Sequence, residues 1–281
     1  VMPSWNTMIT GLIQNGELNR AEKLFGEMQE KNVITWTAIM TGYVQHGLSE
    51  EALKVFNKML ATDGLKPNTG TVVTVLGACS DLAALTEGQQ IHQMISKTVF
   101  QDSTYVISAL INIYSKCGEL HTARKMFDDG LLSQRDLISW NGMVAAYAHH
   151  GYGKEAINLF NEMQELGVGA NDVTFVGLLT ACSHTVLVEE GLKYFDEILE
   201  NRFKQLREDH YACLVDLCGR AGRLKEAFNI IEGLGEEAPL TVWGVLLAGC
   251  NVHGNADIGK LVAEKILKIE PQNAGTYSLF Q

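Results

Sequence analysis

Val33-Ile-Thr-Trp-Thr-Ala-Ile-Met-Thr-Gly-Tyr-Val-Gln-His-Gly47-Leu-Ser-Glu-Glu-Ala-Leu-Lys-Val-Phe-Asn-Lys-Met59 is the stretch from which the fold can be read. From Val33 to Val44 it carries no charge. A helix apolar nearly all round is buried on most of its sides. Gly47 follows, and glycine accepts the left-handed conformation that closes many helices. Glu50 and Glu51 then open a second segment, where the positive end of a helix dipole favours acids. Ala52, Val55, Phe56 and Met59 recur at helical spacing and give that segment one apolar face. The stretch therefore predicts helix, turn, helix.

The pattern recurs. Gly16, Gly47, Gly118, Gly151, Gly222 and Gly254 are separated by 31, 71, 33, 71 and 32 residues, so each gap of 71 holds two units. Five places after them stand Ala21, Ala52, Ala123, Ala156, Ala227 and Gly259. The two beats without a leading glycine carry Ala83 and Val186 in its place, and Gly88 and Gly191 in the later small-residue slot. Phe25, Phe56, Phe127, Phe160 and Phe195 keep the same register, as do Trp5, Trp36, Trp140, Tyr211 and Trp243 upstream. A period in the thirties marks a stacked helical array. The units are 2–32, 33–68, 69–103, 104–136, 137–171, 172–207, 208–239 and 240–273, with a fragment at 274–281. The fold expected is all-α, a right-handed superhelical solenoid of helix-turn-helix repeats. First helices would form an apolar inner layer and second helices a charged outer one.

Composition sets limits on function. Apolar residues make up 46% of the 281, typical of a folded protein. No uncharged apolar run reaches the roughly 18 residues that a membrane helix needs, so no membrane partner is expected. Net charge is −11, which taken alone argues against nucleic acid, because cations on phosphates usually supply much of the affinity. The inner helices are almost free of charge, however, so most of the −11 would lie on the outer layer. Cys79, Cys182, Cys218 and Cys250 share the eleventh place of their units. Equivalent places lie a repeat or more apart, too far for a disulfide, and small buried thiols fit a reducing compartment. Val1 is not an initiator methionine and the chain opens inside a repeat. It reads as a fragment of a longer protein, so a missing targeting peptide has no bearing on location.

Two places on each unit stay polar where their surroundings are apolar. The fifth holds Asn6, Thr37, Val73, Ser108, Asn141, Val176, Ala212 and Gly244 in turn. The last holds Asn32, Asn68, Ser103, Asp136, Asn171, Arg207, Pro239 and Asn273. Four units pair a hydrogen-bonding fifth residue with Asn or Asp at the end: Asn6/Asn32, Thr37/Asn68, Ser108/Asp136 and Asn141/Asn171. Helix capping accounts for the last place. It gives no reason for a variable amide or hydroxyl at the fifth, which points to recognition of a ligand.

The motifs Ser4-Trp-Asn-Thr-Met-Ile-Thr-Gly11, Ser139-Trp-Asn-Gly-Met-Val144, Ala109-Leu-Ile-Asn-Ile-Tyr-Ser-Lys-Cys-Gly118 and His210-Tyr-Ala-Cys-Leu-Val-Asp-Leu-Cys-Gly-Arg-Ala-Gly222 resemble pentatricopeptide repeats of the plant PLS class. In that class units of unequal length, called P, L and S, alternate. By resemblance 2–32, 104–136 and 208–239 are S units, 33–68 and 137–171 P units, and 69–103 and 172–207 L units. Residues 240–273 resemble the first, tetratricopeptide-like motif of the E region that follows the repeats in organellar RNA-editing factors, and 274–281 the start of its second. Such repeats read single-stranded RNA, one base per unit. The resemblance implies that the fifth and last residues do the reading. A short hydroxyl leaves room for a purine, and the longer Asn amide reaches a pyrimidine. The implied element is Y-A-N-G-Y-N-N, upstream of an edited cytidine. Second-place residues would sandwich the bases: Pro3, Ile34, Tyr105, Ile138 and Val173, with Gly70 adding almost nothing. Lys116 and Arg220, at the thirteenth place, are candidates for phosphate contact.

Catalytic motifs are missing. Cytidine deamination needs zinc held in an H-x-E and P-C-x-x-C arrangement, and the sequence has neither. No phosphate loop, dinucleotide fingerprint or nucleophile elbow occurs. His46, His150 and His253 share one repeat position, which favours packing at helix ends over a metal site. The chain is therefore expected to be no enzyme, to need no cofactor, and to act through a DYW-type deaminase in trans or one lying beyond this stretch. The resemblance further implies multiple organellar RNA editing factors as partners of the L units, and a mitochondrion, or alternatively a chloroplast, as the compartment. The competing readings are a peptide-binding scaffold of tetratricopeptide type, which the acidity favours, and RNA binding for stabilisation or splicing.

Overall fold

The computed structural model describes residues 2–96, 98–129, 136–200, 207–235 and 238–270, of which 2–4, 101, 102 and 200 are described in their backbone alone. Within them lie sixteen α-helices. The odd-numbered ones are α1 (Met2–Gln14), α3 (Val33–Gln45), α5 (Thr69–Asp81), α7 (Thr104–Lys116), α9 (Leu137–His149), α11 (Asp172–Thr185), α13 (Glu208–Arg220) and α15 (Leu240–Val252). The even-numbered ones are α2 (Leu18–Glu27), α4 (Ser49–Leu60), α6 (Leu85–Ile95), α8 (Leu120–Asp129), α10 (Gly153–Glu165), α12 (Val188–Glu200), α14 (Leu224–Glu232) and α16 (Ala256–Ile269). A single 3-10 turn, Val99–Asp102, precedes α7.

Local chemistry sets the helix ends. Asn32, Asn68 and Asn171 each accept the backbone N–H of the residue three places on, and that residue's hydroxyl accepts theirs in return. This reciprocal box satisfies two otherwise orphaned donors. At the far end, the six glycines that follow odd helices have φ between 62° and 83°, the left-handed turn that closes a helix. Where that glycine is missing, Ala83 and Val186 take the conformation themselves, at φ 49° and 56°.

The chain divides into two compact units, one ending at Met143 and the other beginning at Val144. In the first, α1, α3, α5 and α7 pack in succession, and α2, α4 and α6 each lean on the odd helix before and after. In the second, α11, α13 and α15 form the same kind of row, with α12 and α14 bridging in the same way. The inner and outer layers expected from the sequence are thus present within each unit. Inner helices without Asp, Glu, Lys or Arg are α1, α3, α9 and α15. The expectation of a nearly uncharged inner layer fails at α13, which carries Glu208, Asp209, Asp216 and Arg220.

Repeat meets repeat through aromatic rings. The phenylalanine of one outer helix meets the fourth-place aromatic of the next inner helix. Ring centroids are 5.0 Å apart for Phe25–Trp36 and 4.8 Å for Phe127–Trp140, both edge-on. In the second unit the contacts are Phe160–Phe175, Phe195–Tyr211 and Phe228–Trp243, at 5.7, 5.4 and 5.6 Å. Each such pair contributes about 0.5–1.5 kcal/mol beyond its burial. The small-residue slot has a matching cause. A Cβ on Gly88 would lie 2.9 Å from Ile113, and one on Gly191 only 2.2 Å from Leu217. Cys79, Cys182, Cys218 and Cys250 are free and buried. Burial pushes the Cys79 and Cys182 thiols up to about 12 and that of Cys218 to about 11, so these are packing groups.

Candidate nucleic-acid interface

In four inner helices the second place is exposed although the residue that follows it is buried. Ile34, Tyr105, Ile138 and Val173 are 57, 63, 59 and 54% exposed, while the adjoining Thr35, Val106, Ser139 and Thr174 are at most 2% exposed. Each helix therefore presents one large apolar side chain to solvent beside a sealed polar or small group. Gly70 holds the same place without a side chain. A Cβ there would lie 3.4 Å from the Asn68 amide oxygen and 3.8 Å from the Thr37 methyl. The second place of one repeat thus flanks the fifth and last places of the repeat before it. The Pro3 side chain lies outside the described residues.

One turn further along stand the fifth-place residues. Asn6, Thr37, Ser108 and Asn141 are all half-buried, as are Asn32, Asn68, Asp136 and Asn171. They are neither sealed in packing nor loose in solvent. In the first unit the structure brings three of the predicted pairs together. The Asn6 amide nitrogen donates to the Asn32 amide oxygen over 3.5 Å, the long end of hydrogen bonding. Thr37 and Asn68 meet through Thr71. The Thr37 and Thr71 hydroxyls are 2.7 Å apart, and Thr71 donates to Asn68 Oδ1 at 2.9 Å. Ser108 and Asp136 meet through Ser139 in the same way, at 2.8 Å on each side. Thr35 completes the first cluster: its hydroxyl oxygen lies 2.7 Å from Asn6 Oδ1 and 3.0 Å from Asn32 Oδ1, and its one proton serves one of them at a time. In the second unit Asn171 accepts the Thr174 hydroxyl at 3.0 Å.

The common member of these clusters, the third-place hydroxyl of the next inner helix, is the group that sequence reasoning missed. Thr35, Thr71, Ser139 and Thr174 are buried, and their identity was visible in the sequence. The signal that finds them is their spacing of three from the last-place Asn or Asp. The hydroxyls of Thr37 and Ser108 also donate to the carbonyls of Val33 and Thr104, at 2.8 and 2.9 Å, which fixes their rotamers against the helix. Val73, Val176 and Ala212 are half-buried at the fifth place of their units and carry no hydrogen-bonding group on their side chains.

The thirteenth place is exposed but already engaged. Lys116 Nζ lies 3.7 Å from Asp81, and Arg220 Nε donates to Asp216 at 2.8 Å. Surface pairs of this kind are weak, so either cation can exchange its carboxylate for another anion. His46 Nδ1 sits 2.8 Å from the Gly42 carbonyl, the helix-end packing expected of it, and His184 Nδ1 lies 2.9 Å from the Ala148 carbonyl. Among the described residues no group of His, Cys, Asp and Glu is arranged to hold a metal ion. Within each unit the surface sets polar side chains, uncharged except for Asp136, beside exposed apolar ones. Such an array suits flat ligands with apolar faces and polar edges.

Known proteins provide a comparison. A family model described as PPR repeat family matches residues 31–81 and 135–184, and one described as PPR repeat matches 3–33, 106–130, 173–203 and 209–237. A mitochondrial pentatricopeptide repeat-containing protein of Arabidopsis thaliana is 55% identical over 221 residues, covering 79% of this chain and 35% of its own length. The chloroplastic Arabidopsis proteins DOT4 and CRR2, of the same description, are each 39% identical, over 94 and 97% of this chain and 30 and 41% of their own lengths. The chain thus spans about a third of the length of these relatives. Among solved structures, the pentatricopeptide repeat protein PPR10 from maize aligns with a TM-score of 0.64 at 21% identity, over 95% of this chain and 39% of that one. This likeness concerns the fold.

Proposed function

The chain belongs to the pentatricopeptide repeat family, and from that premise we propose that it binds single-stranded RNA in a sequence-specific way, one base per repeat. The observation that carries this reading is the repeated cluster of a fifth-place amide or hydroxyl with a last-place Asn or Asp, flanked by an exposed apolar second-place residue. A base slotted between two second-place side chains gains stacking contact, while its edge meets the fifth-place group. Asn6/Asn32 and Asn141/Asn171 then select pyrimidines, Thr37/Asn68 adenine and Ser108/Asp136 guanine. Val73, Val176 and Ala212 leave their bases unread. The resulting element is Y-A-N-G-Y-N-N. Lys116 and Arg220 add a little phosphate contact.

The finer part of the proposal is that the bound site lies upstream of a cytidine converted to uridine. It rests on the alternation of P, L and S units and on the resemblance of 240–273 to the first E motif. On this reading the stretch specifies the site, and a DYW-type deaminase recruited in trans or lying elsewhere in the protein does the chemistry. The editing factors that bind L units in this family are the further partners. The mitochondrial and chloroplastic names of the relatives support an organellar site of action.

Gel shifts against the proposed element and a scrambled one test the reading. Preference for the element supports it, and equal binding eliminates the code. No binding to either RNA turns the choice towards a peptide scaffold. Asn141→Thr sharpens the test: the base read by that repeat moves from pyrimidine towards purine, and an unchanged base profile counts against the assignment.

A further inference from the structure

The third-place hydroxyl follows the fifth-place residue along the chain. Where the fifth place is Asn6, Thr37, Ser108 or Asn141, the third place of the next inner helix is Thr35, Thr71, Ser139 or Thr174. Where the fifth place is Val73, Val176 or Ala212, it is Val106, His210 or Val242. The hydroxyl is thus present at all four junctions with a polar fifth residue and absent from the three where that residue is Val or Ala, while the last junction pairs Gly244 with Thr276.

Capping divides the junctions in the same way, since the last place is Asn or Asp at those four and Ser103, Arg207 or Pro239 at the other three, but it does not require the hydroxyl. Helices α7 and α15 form behind Ser103 and Pro239 with no side-chain cap at all, and α13 places His210 Nδ1 where the hydroxyl oxygen would accept the Arg207 N–H. Val106 and Val242 are as buried as Thr35 and Thr71, so valine fills the same space. A helix start can therefore be built at this position without a hydroxyl. What valine cannot do is reach back across the repeat boundary to a polar group on the preceding inner helix, as Thr35 does to Asn6 at 2.7 Å, Thr71 to Thr37 at 2.7 Å and Ser139 to Ser108 at 2.8 Å.

Resting on the base-reading proposal above, we propose that the third-place hydroxyl of the following repeat is a positioning residue for specificity, holding the fifth- and last-place side chains in a single arrangement before RNA arrives. The contact geometry supports a relay. The Thr37 and Thr71 hydroxyls share two protons among three contacts, with the Val33 carbonyl, with Asn68 Oδ1 and with each other, so Thr71 links the pair whichever hydroxyl donates across the boundary. Ser139 stands in the same relation to Asp136 and Ser108. A side chain held from behind in this way does not have to be ordered when a base docks, and discrimination between bases improves when the reading group is preorganised. The hydroxyl itself is buried and touches no base. It acts only through the pair it holds.

The experiment compares Thr35→Val with Thr35→Ser in this chain. Binding is measured to four synthetic RNAs that carry the proposed element and differ only at the nucleotide read by residues 2–32. Asn6→Ala is run beside them. Thr35→Val is expected to reduce the pyrimidine preference at that nucleotide about fivefold, the factor that one hydrogen bond of ordinary net strength carries. Preferences at the other nucleotides stay as in the parent, and Thr35→Ser restores the lost one. A purely structural role for Thr35 would lower affinity for all four RNAs alike and overturns the proposal. So does a parental profile in Thr35→Val when Asn6→Ala flattens it. If Asn6→Ala leaves the profile unchanged as well, it is base reading by this repeat that has failed. Should Thr35→Val unfold, Ser139→Ala with its rescue by Ser139→Thr puts the same question to the nucleotide read by residues 104–136.

Discussion

Val186 is a β-branched residue at φ 56°, in the place where six other repeats put glycine. The left-handed conformation crowds Cβ against the following carbonyl and costs an L-residue roughly 1–2 kcal/mol. Val186 is exposed, so its side chain recovers little of that cost through packing. We expect Val186→Gly to raise stability by about 1 kcal/mol. The mirror change, Gly151→Ala at φ 75°, should lower it by a similar amount. Urea melts of the two variants check this, and equal midpoints would contradict the strain argument. At this scale the sequence was partly legible. Comparing equivalent places exposed Ala83 and Val186 as the odd members of a glycine column, and Asn6, Thr37, Ser108 and Asn141 as polar residues on apolar helices. It did not expose Thr35, Thr71 and Ser139. A threonine three places into a helix looks like an ordinary capping partner until its contact to the repeat before is seen.

The helices themselves were largely written in the sequence, because every repeat restates the same punctuation. Charge on the inner layer was judged from α3, α9 and α15, and the acidic start of α13 did not follow them. Glu208 there accepts the Thr241 hydroxyl of the next inner helix. The 3-10 turn before α7 was likewise unanticipated. Thr98 opens it by accepting the Phe100 N–H, a cue too local to stand out against the repeat. Helix packing rests on the small-residue slot more tightly than spacing alone suggested. Leu217, which a Cβ on Gly191 would meet, is fully buried, so it has little room to retreat. Overpacking of this kind costs about 1–3 kcal/mol. Gly191→Ala is expected to lower the melting temperature by several degrees, whereas Gly169→Ala, with nothing within 4 Å of its added carbon, should leave it nearly unchanged. Parallel thermal melts decide between them.

For the molecule as a whole, the net charge of −11 and the base-reading proposal are compatible only if binding draws little on phosphates. Each phosphate neutralised on a single strand contributes about −0.7 to the slope of log K against log salt. With Lys116 and Arg220 as the proposed contacts, that slope should be no steeper than about −1.5. A titration from low to moderate salt measures it, and a much steeper dependence would mean that other cations carry the binding. One consequence of the inter-repeat clusters bears on engineering. Asn6 and Asn32 belong to one repeat and Thr35 to its successor, so a cassette excised at the start of an inner helix severs the group that steadies the base-reading pair. Transplanted repeats should keep their preferences when the splice falls within an outer helix and lose part of them when it falls at the turn between repeats.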